Sequence, residues 1–310
     1  MDLELTNPAR PPGLAPLHQQ PEYARALIAM GVTVQTLRAM QADQTLAQVQ
    51  VVRRRLGPLT LNWMPRGPIW AADLPTQTRH ASLSALPHAL PGGLWLANAT
   101  NADEGARLAA LGYRALFPGQ TLAELDLCPP QATRLAAQHG KWRNRLRHAQ
   151  SAGLKISERA FDPNHHNRLL EQESTQRRLR GYRALPLAFT LAYGAQNPGA
   201  ARVWSAHHKG QSIAHLLILT HANTATYHIG WTGPEGRRLS AHALLLWHVS
   251  NALADRDFKR IDLGLADFHR SPGLARFKLG SGALAQRLGP SMIAWPRAAY
   301  LFPKRHKHAA

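Results

Sequence analysis

Residues 261–282 read IDLGLADFHRSPGLARFKLGSG. An apolar, strand-like run breaks into an acidic, histidine-bearing loop, and the chain returns through Pro272 and Gly273 to Phe277, Lys278, Gly280 and Gly282. A strand end, a cation beside an aromatic ring and two glycines are the parts an acyl-transfer site would need. Glycines without a Cβ let backbone come close to a ligand. For proton removal the loop offers His269, whose imidazole ordinarily titrates near neutrality, with Asp267 to orient it or to act through water. Asp262 sits inside the strand, alternating with Ile261 and Leu263, and reads as a hydrogen-bonded structural acid.

A second cluster lies upstream in GPEGRRLSAH, residues 233–242, where Arg237 and Arg238 stand just ahead of an apolar helix with Ser240 as its expected N-cap. Backbone N–H groups at such a loop-to-helix junction favour an anion, so this is the expected grip on donor phosphates. In the first half, Arg66 in PRGP could bind a phosphate of the acceptor. The seventeen histidines show no pair at i, i+4 with a nearby acid and no Cys/His cluster, so no metal site is expected. Hydrolase, NTPase and dinucleotide signatures are missing as well.

These groups have to be positioned by a chain of 310 residues, long enough for two domains with separate cores. Its apolar fraction of 45% is that of a globular protein. No run reaches the ~20 apolar residues of a membrane span. The N-terminus MDLELTNPAR lacks the basic and apolar regions of a signal peptide. The single cysteine, Cys128, fits a reducing compartment, so a cytoplasmic location is expected. The formal net charge is +19, and only seven of the 37 basic residues are Lys. Arg favours planar, bidentate contact with phosphate and carboxylate, which suits a polyanionic partner such as tRNA, a CoA-type donor or an anionic membrane surface. An Arg-rich composition of genomic origin accounts for the same charge equally well.

Patterning places α and β elements in alternation up to Pro130: a helix at 21–31, strands at 32–40 and 45–63 with a turn at Gly57-Pro58, a weaker helix at 74–90, a strand at GGLWLANAT, and a strand at YRALFPGQTLAELDL. One helix is expected from Pro130 to Gly153, with Trp142, Leu146 and Ala149 on a shared face, and further helices at 163–180 and around 185–196. Residues 134–183 carry twelve Lys/Arg against four Asp/Glu. Three antiparallel strands follow from 201 to 231, with turns at Lys209-Gly210 and Ala222-Asn223, then a buried helix at 240–254, the strand RIDLGL and more sheet. The expected division is 1–130, a linking cationic stretch at 131–200, and 201–310.

Three stretches then resemble a known family. The run from GPEGRRLSAHALLLW through IDLGL to LARFKLGSG is similar to the C-terminal signature of the Fem-type (peptidoglycan-bridge) aminoacyltransferases and of acyltransferases with the GNAT fold. GKWRNRLRHAQSAGL (140–154) resembles the helix that opens their second domain, and MPRGPIW (64–70) an element of the first. The likeness spans roughly residues 18 to 290. It implies an α/β fold of two tandem GNAT-like domains with mixed sheets, substrates being held between them or at the second. It also implies transfer of an acyl or aminoacyl group to an amine acceptor, a small or phosphate-bearing molecule. The donor would be acyl-CoA or aminoacyl-tRNA as co-substrate, with no permanently bound cofactor. By resemblance, Lys278 would lie near the reacting ester and stabilise negative charge on the carbonyl oxygen. Phe277 would stack on the donor, and Gly280 and Gly282 would admit it. The sequence departs from the pattern where Ser240 and His242 occupy the glycine places of the usual phosphate loop, and where DLGL lacks a second Gly. A non-catalytic binder of nucleic acid or anionic membrane with the same fold is the alternative.

Overall fold

A computed structural model describes residues 2–72, 74–90, 92–181 and 184–295. The first elements are β1 (Asp2–Thr6), α1 (Pro21–Ala29), β2 (Thr33–Gln41), β3 (Gln44–Leu56), β4 (Leu59–Met64), β5 (Ile69–Trp70), α2 (Thr76–Ala89), β6 (Leu94–Asn98), α3 (Ala102–Ala110) and β7 (Arg114–Phe117). Then come β8 (Thr121–Asp126), α4 (Gln131–Ala136), α5 (Gly140–Ser151), β9 (Lys155–Ala160), α6 (Pro163–Arg180), α7 (Leu187–Gln196), β10 (Ala201–His208), β11 (Gln211–His221) and β12 (Thr224–Thr232). The chain continues through α8 (Pro234–Arg238), α9 (Ala241–Ala254), β13 (Arg260–Leu265), α10 (Pro272–Gly280), β14 (Leu284–Arg287) and β15 (Ser291–Ala294).

Two compact α/β units result, one from residues 2–119 and 287–295, the other from Gln120 to Gln286. The first sheet runs β1-β2-β3-β4-β6-β15-β7, with β5 paired to β3; the second runs β14-β8-β13-β12-β11-β10-β9. Both are mixed: β4 and β6 are parallel in one, β12 and β13 in the other, and the hairpins are antiparallel. The division differs from one at 130 and 200, because β8 leaves the first unit and inserts between β13 and β14. Conversely, β15 returns from the second unit to lie between β6 and β7.

Three local readings change with it. The stretch 113–127 is two strands in two sheets, parted at Pro118-Gly119, where a Cβ on Gly119 would lie 2.0 Å from the Leu288 carbonyl oxygen. The helix expected over Pro130–Gly153 breaks into α4 and α5. His139 is extended and its N–H is captured by the Gly280 carbonyl at 3.0 Å, so Gly140 opens a new helix. Ser240 is not an N-cap by side chain: it sits at φ 54° and ψ 31° as a left-handed joint between α8 and α9.

The second unit's core forms where α5 and α9 cover one face of its sheet. Trp142, Leu146 and Ala149 of α5 meet Leu245, Val249 and Leu253 of α9 against Trp204, Leu216 and Ile218. The first unit's core is smaller, with Leu37, Val49, Val51, Met64, Leu83, Trp95, Leu108 and Met292. The tight turn at Lys209-Gly210 takes φ of 49° and 81°, the doubly left-handed geometry that matches strand twist in a two-residue hairpin.

Candidate functional site

The site starts from how far β12 and β13 stay together. They pair over Thr224–Thr226 and Arg260–Asp262 and then part. Just there β13 bulges against β8, between Asp262 and Leu265. Gly264 supplies φ +75°, and its N–H donates to Asp262 Oδ1 at 2.8 Å. The bulge turns the Leu265 carbonyl toward α10, where Lys278 Nζ donates to it at 2.8 Å.

Lys278 is 7% exposed, as is Asp262. Burial lowers the Lys278 pKa to about 8, and the Asp262 carboxylate opposes that fall. An ammonium has three donors, and one is spent on Leu265. This is a polarised, partly desolvated cation at the strand exit. Asp262 is therefore more than the strand acid read from sequence, being the counter-charge of the buried amine.

Around this pair runs an aromatic chain. The Phe277 ring centroid lies 6.0 Å from that of Trp142 and 5.4 Å from that of His242. Trp142 Nε1 donates to the Phe277 carbonyl at 3.1 Å. His242 is locked between Tyr227 Oη, 2.8 Å from Nε2, and Thr232 Oγ1, 3.0 Å from Nδ1. Burial lowers its pKa to about 4, so it is neutral at physiological pH. Tyr227 reaches it across Gly230, where an added Cβ would fall 1.7 Å from the phenol oxygen. Tyr227 and His242 escaped sequence reasoning; the one signal was a histidine in a glycine place.

The remaining sequence-predicted residues fall around this centre unequally. Gly280 faces Trp142, with room for a Cβ only 3.1 Å from Cδ1, and Gly282 takes φ +94°. In α8, Arg237 Nη1 donates to the Thr232 carbonyl at 2.7 Å, which ties it to the end of β12. Arg238 is held by both oxygens of Glu235 at 2.9 and 2.6 Å, and Glu235 also meets His208 Nδ1 at 3.2 Å. Asp267 Oδ1 accepts from the N–H groups of Arg270 and His269, at 2.9 and 2.8 Å. Those bonds hold its carboxyl below the usual range and make it a weak base. The His269 side chain is exposed. Arg66 lies in the first unit at φ 50°, next to Pro65, whose carbonyl accepts from Gln19 Nε2 at 2.6 Å. Among the described residues no group of three or more His, Cys, Asp or Glu is placed to hold a metal.

On the opposite face of β12, His228 bulges out of register and is fixed by Thr190 Oγ1 at 2.7 Å. Gln176 Nε2 donates to the Gly230 carbonyl at 3.0 Å. The strand that borders the site is thus clamped from α6 and α7 as well as from α9.

Residues 136–279 match the family model for the acetyltransferase (GNAT) domain. No functionally curated protein matches the sequence. Among solved structures, FemX superposes with a TM-score of 0.75 at 12% identity, over 93% of this chain and 92% of that one. A tandem GNAT protein from the clavulanic acid biosynthesis pathway gives 0.55 at 11%, over 94% and 98%. L-PGS from Bacillus licheniformis gives 0.54 at 12%, over 93% and 95%. At such identity the likeness speaks for the fold, and the fold is that of two tandem GNAT-like units, as the resemblance implied.

Proposed function

We propose, on the premise that residues 136–279 are a GNAT-family domain, that the chain transfers an acyl group from an activated donor to an amine and releases an amide. The observation that carries this reading is the buried ammonium of Lys278, anchored on the Leu265 carbonyl beside Asp262 where β12 and β13 separate. A neutral amine attacks the donor carbonyl, the C–N bond forms, and negative charge gathers on the carbonyl oxygen. A fixed cation in a low-dielectric site stabilises that charge more than water does. As the C–O or C–S bond breaks, the proton leaves the new ammonium through His269 or water; Asp267, tied to two backbone amides, shapes the loop.

Of the two donor classes, we read an aminoacyl ester carried by tRNA ahead of acyl-CoA. Two observations support this. Tyr227, His242 and Phe277 crowd the place where the strands part, and His242 replaces a glycine that close approach of a pyrophosphate needs. Residues 134–183 also carry twelve Lys/Arg against four Asp/Glu. Arg237 and Phe277 would contact the donor, with Arg238, Ser240, Gly280 and Gly282 shaping its surroundings. Arg66 would take a phosphate of the acceptor.

The test titrates purified protein with CoA and with total tRNA at two salt concentrations, then screens charged donors for a covalent product by mass spectrometry. We expect tRNA affinity to fall steeply with salt and CoA to bind weakly. Lys278→Met should cost about 10²–10³-fold in single-turnover transfer, while donor affinity changes little. Turnover that survives Lys278→Met overturns the role of the lysine, and absence of product with every donor overturns the transferase reading.

A further inference from the structure

The helix α7 (LAFTLAYGAQ) contains no charged residue, although it lies on the surface. Its Phe189, Thr190 and Tyr193 are buried against the second sheet. Its outer face is Leu187, Ala188, Leu191 and Ala195, with Leu187 37% and Leu191 36% exposed. An ordinary surface helix puts charges there. Near the end of α6, Leu179 is 82% exposed, and Arg177 Nη1 donates to the Leu185 carbonyl, just ahead of α7, at 3.2 Å.

Basic groups border this apolar strip. Arg178 is exposed beside Leu179. At the other end, Gly194 sits against the Phe161 ring, 2.8 Å from where a Cβ would be, which brings up the end of β9 with its exposed Arg159. We propose that the outer face of α7, with Leu179, docks this protein on an anionic lipid surface, the leucines entering the acyl boundary and the arginines meeting headgroup phosphates.

Size and chemistry together select that occupant. Ten helical residues span about 15 Å, a narrow strip compared with the ~800 Å² each partner gives to a stable protein interface. A narrow apolar strip flanked by arginine is what an interfacial helix uses, and buried apolar area and headgroup charge add in its binding. Nucleic acid would be met by the arginines but would gain nothing from three exposed leucines. This inference does not rest on the acyl-transfer reading.

The experiment sediments the full chain with vesicles of phosphatidylcholine alone and of phosphatidylcholine mixed with phosphatidylglycerol, at physiological salt. Wild type should bind the mixed vesicles and leave the neutral ones. Leu187→Asp/Leu191→Asp should weaken binding at least about tenfold, and Leu179→Asp, at a side chain 82% exposed, should weaken it less and leave melting unchanged. If the double variant binds mixed vesicles as wild type does, charge alone is responsible and the docking face is wrong. If wild type ignores vesicles but sediments as a dimer that the double variant breaks, the occupant is a second copy and the proposal falls. If total tRNA binds while vesicles do not, the basic border serves nucleic acid, and the proposal falls equally.

Discussion

The two units repeat one plan at a fixed interval. Helix α3 starts at 102 and α10 at 272, β7 at 114 and β14 at 284, β8 at 121 and β15 at 291, each pair 170 residues apart. Gly112 and Gly282 therefore correspond, and both take strongly positive φ, 90° and 94°. On the same count Leu108 corresponds to Lys278. Leu108 is 1% exposed and belongs to the apolar core of its unit; Lys278 is 7% exposed and carries an amine. The adjoining strands differ too. β6 pairs with β15 in unbroken register, whereas β13 bulges against β8 and offers a carboxylate and a carbonyl to the lysine. A fold that buries leucine at this place in one copy and ammonium in the other accepts a desolvation cost in the second that packing does not require. Local inconsistency of that kind is what the role proposed for Lys278 requires.

Making the first unit imitate the second should produce the largest effect. Leu108→Lys puts an ammonium among Leu83, Leu86, Trp95 and Met292 without the bulge that serves Lys278. An uncompensated buried charge costs about 3–5 kcal/mol. Hydrogen exchange should show α3 and its neighbouring strands losing protection while α9 keeps its own. Protection unchanged in α3 would mean the two positions are not equivalent.

The reverse exchange, Lys278→Met, reads out through pH. The folded pKa of Lys278 is about 8 against the ordinary lysine value of 10.5. Between those values the unfolded chain binds more protons than the folded one, so stability rises with pH across that window, by roughly 3 kcal/mol in all. Denaturant midpoints of wild type should climb from pH 8 toward 10.5, and those of Lys278→Met should lose that climb. Transfer should run the other way, falling as pH passes 8 and the cation is lost. Equal slopes in both proteins would place the lysine in ordinary solvent.

The first unit has its own buried ionisable group, of opposite sign. Glu104 is 1% exposed, and burial raises its pKa to about 7, against the pull of its hydrogen bonds to the hydroxyl and N–H of Thr100 and of Arg107 and Arg79. Its folded pKa lies above the unfolded one, so stability is full below about 4.5 and is lost as pH rises to 7, by up to roughly 3 kcal/mol. Glu104→Gln should flatten that slope in the exchange protection of α3 and leave α10 untouched. Opposite pH slopes in the two halves would be a direct signature of their different buried charges.

Much of this was legible in the chain. Alternation and turn residues gave the hairpin at Lys209-Gly210, the buried helix α9 and the strand at 260–265. The Lys of ARFKLG stood out by type alone. What was hidden was long-range. The exchange of β8 and β15 between sheets leaves no local mark, because a strand's period is the same in either sheet. The break at His139 depends on a carbonyl 141 positions away, that of Gly280. The 170-residue repeat is obscured because its conserved elements are backbone turns and burial, while the side chains at matched places, Leu108 and Lys278, have opposite polarity. Asp262 looked structural because its partner arrives from a helix that sequence patterning did not mark.

The smallest effect tests the equivalence itself, at the two glycines that end the matched helices. Gly112 and Gly282 close corresponding helices with nearly equal φ, a region where an L side chain is strained by about 1–2 kcal/mol. Around Gly282 the nearest atoms to an added Cβ lie 3.5 Å away, on Ala137, so backbone strain and not collision should set the cost there. Gly282→Ala and Gly112→Ala should lower stability by similar amounts, each confined to its own unit by exchange, and Gly282→Ala should leave the pH slope from Lys278 in place. A loss at Gly282 several times that at Gly112 would show that the second unit's turn holds more than backbone geometry. In that case the lysine is not the only residue by which the two copies have diverged.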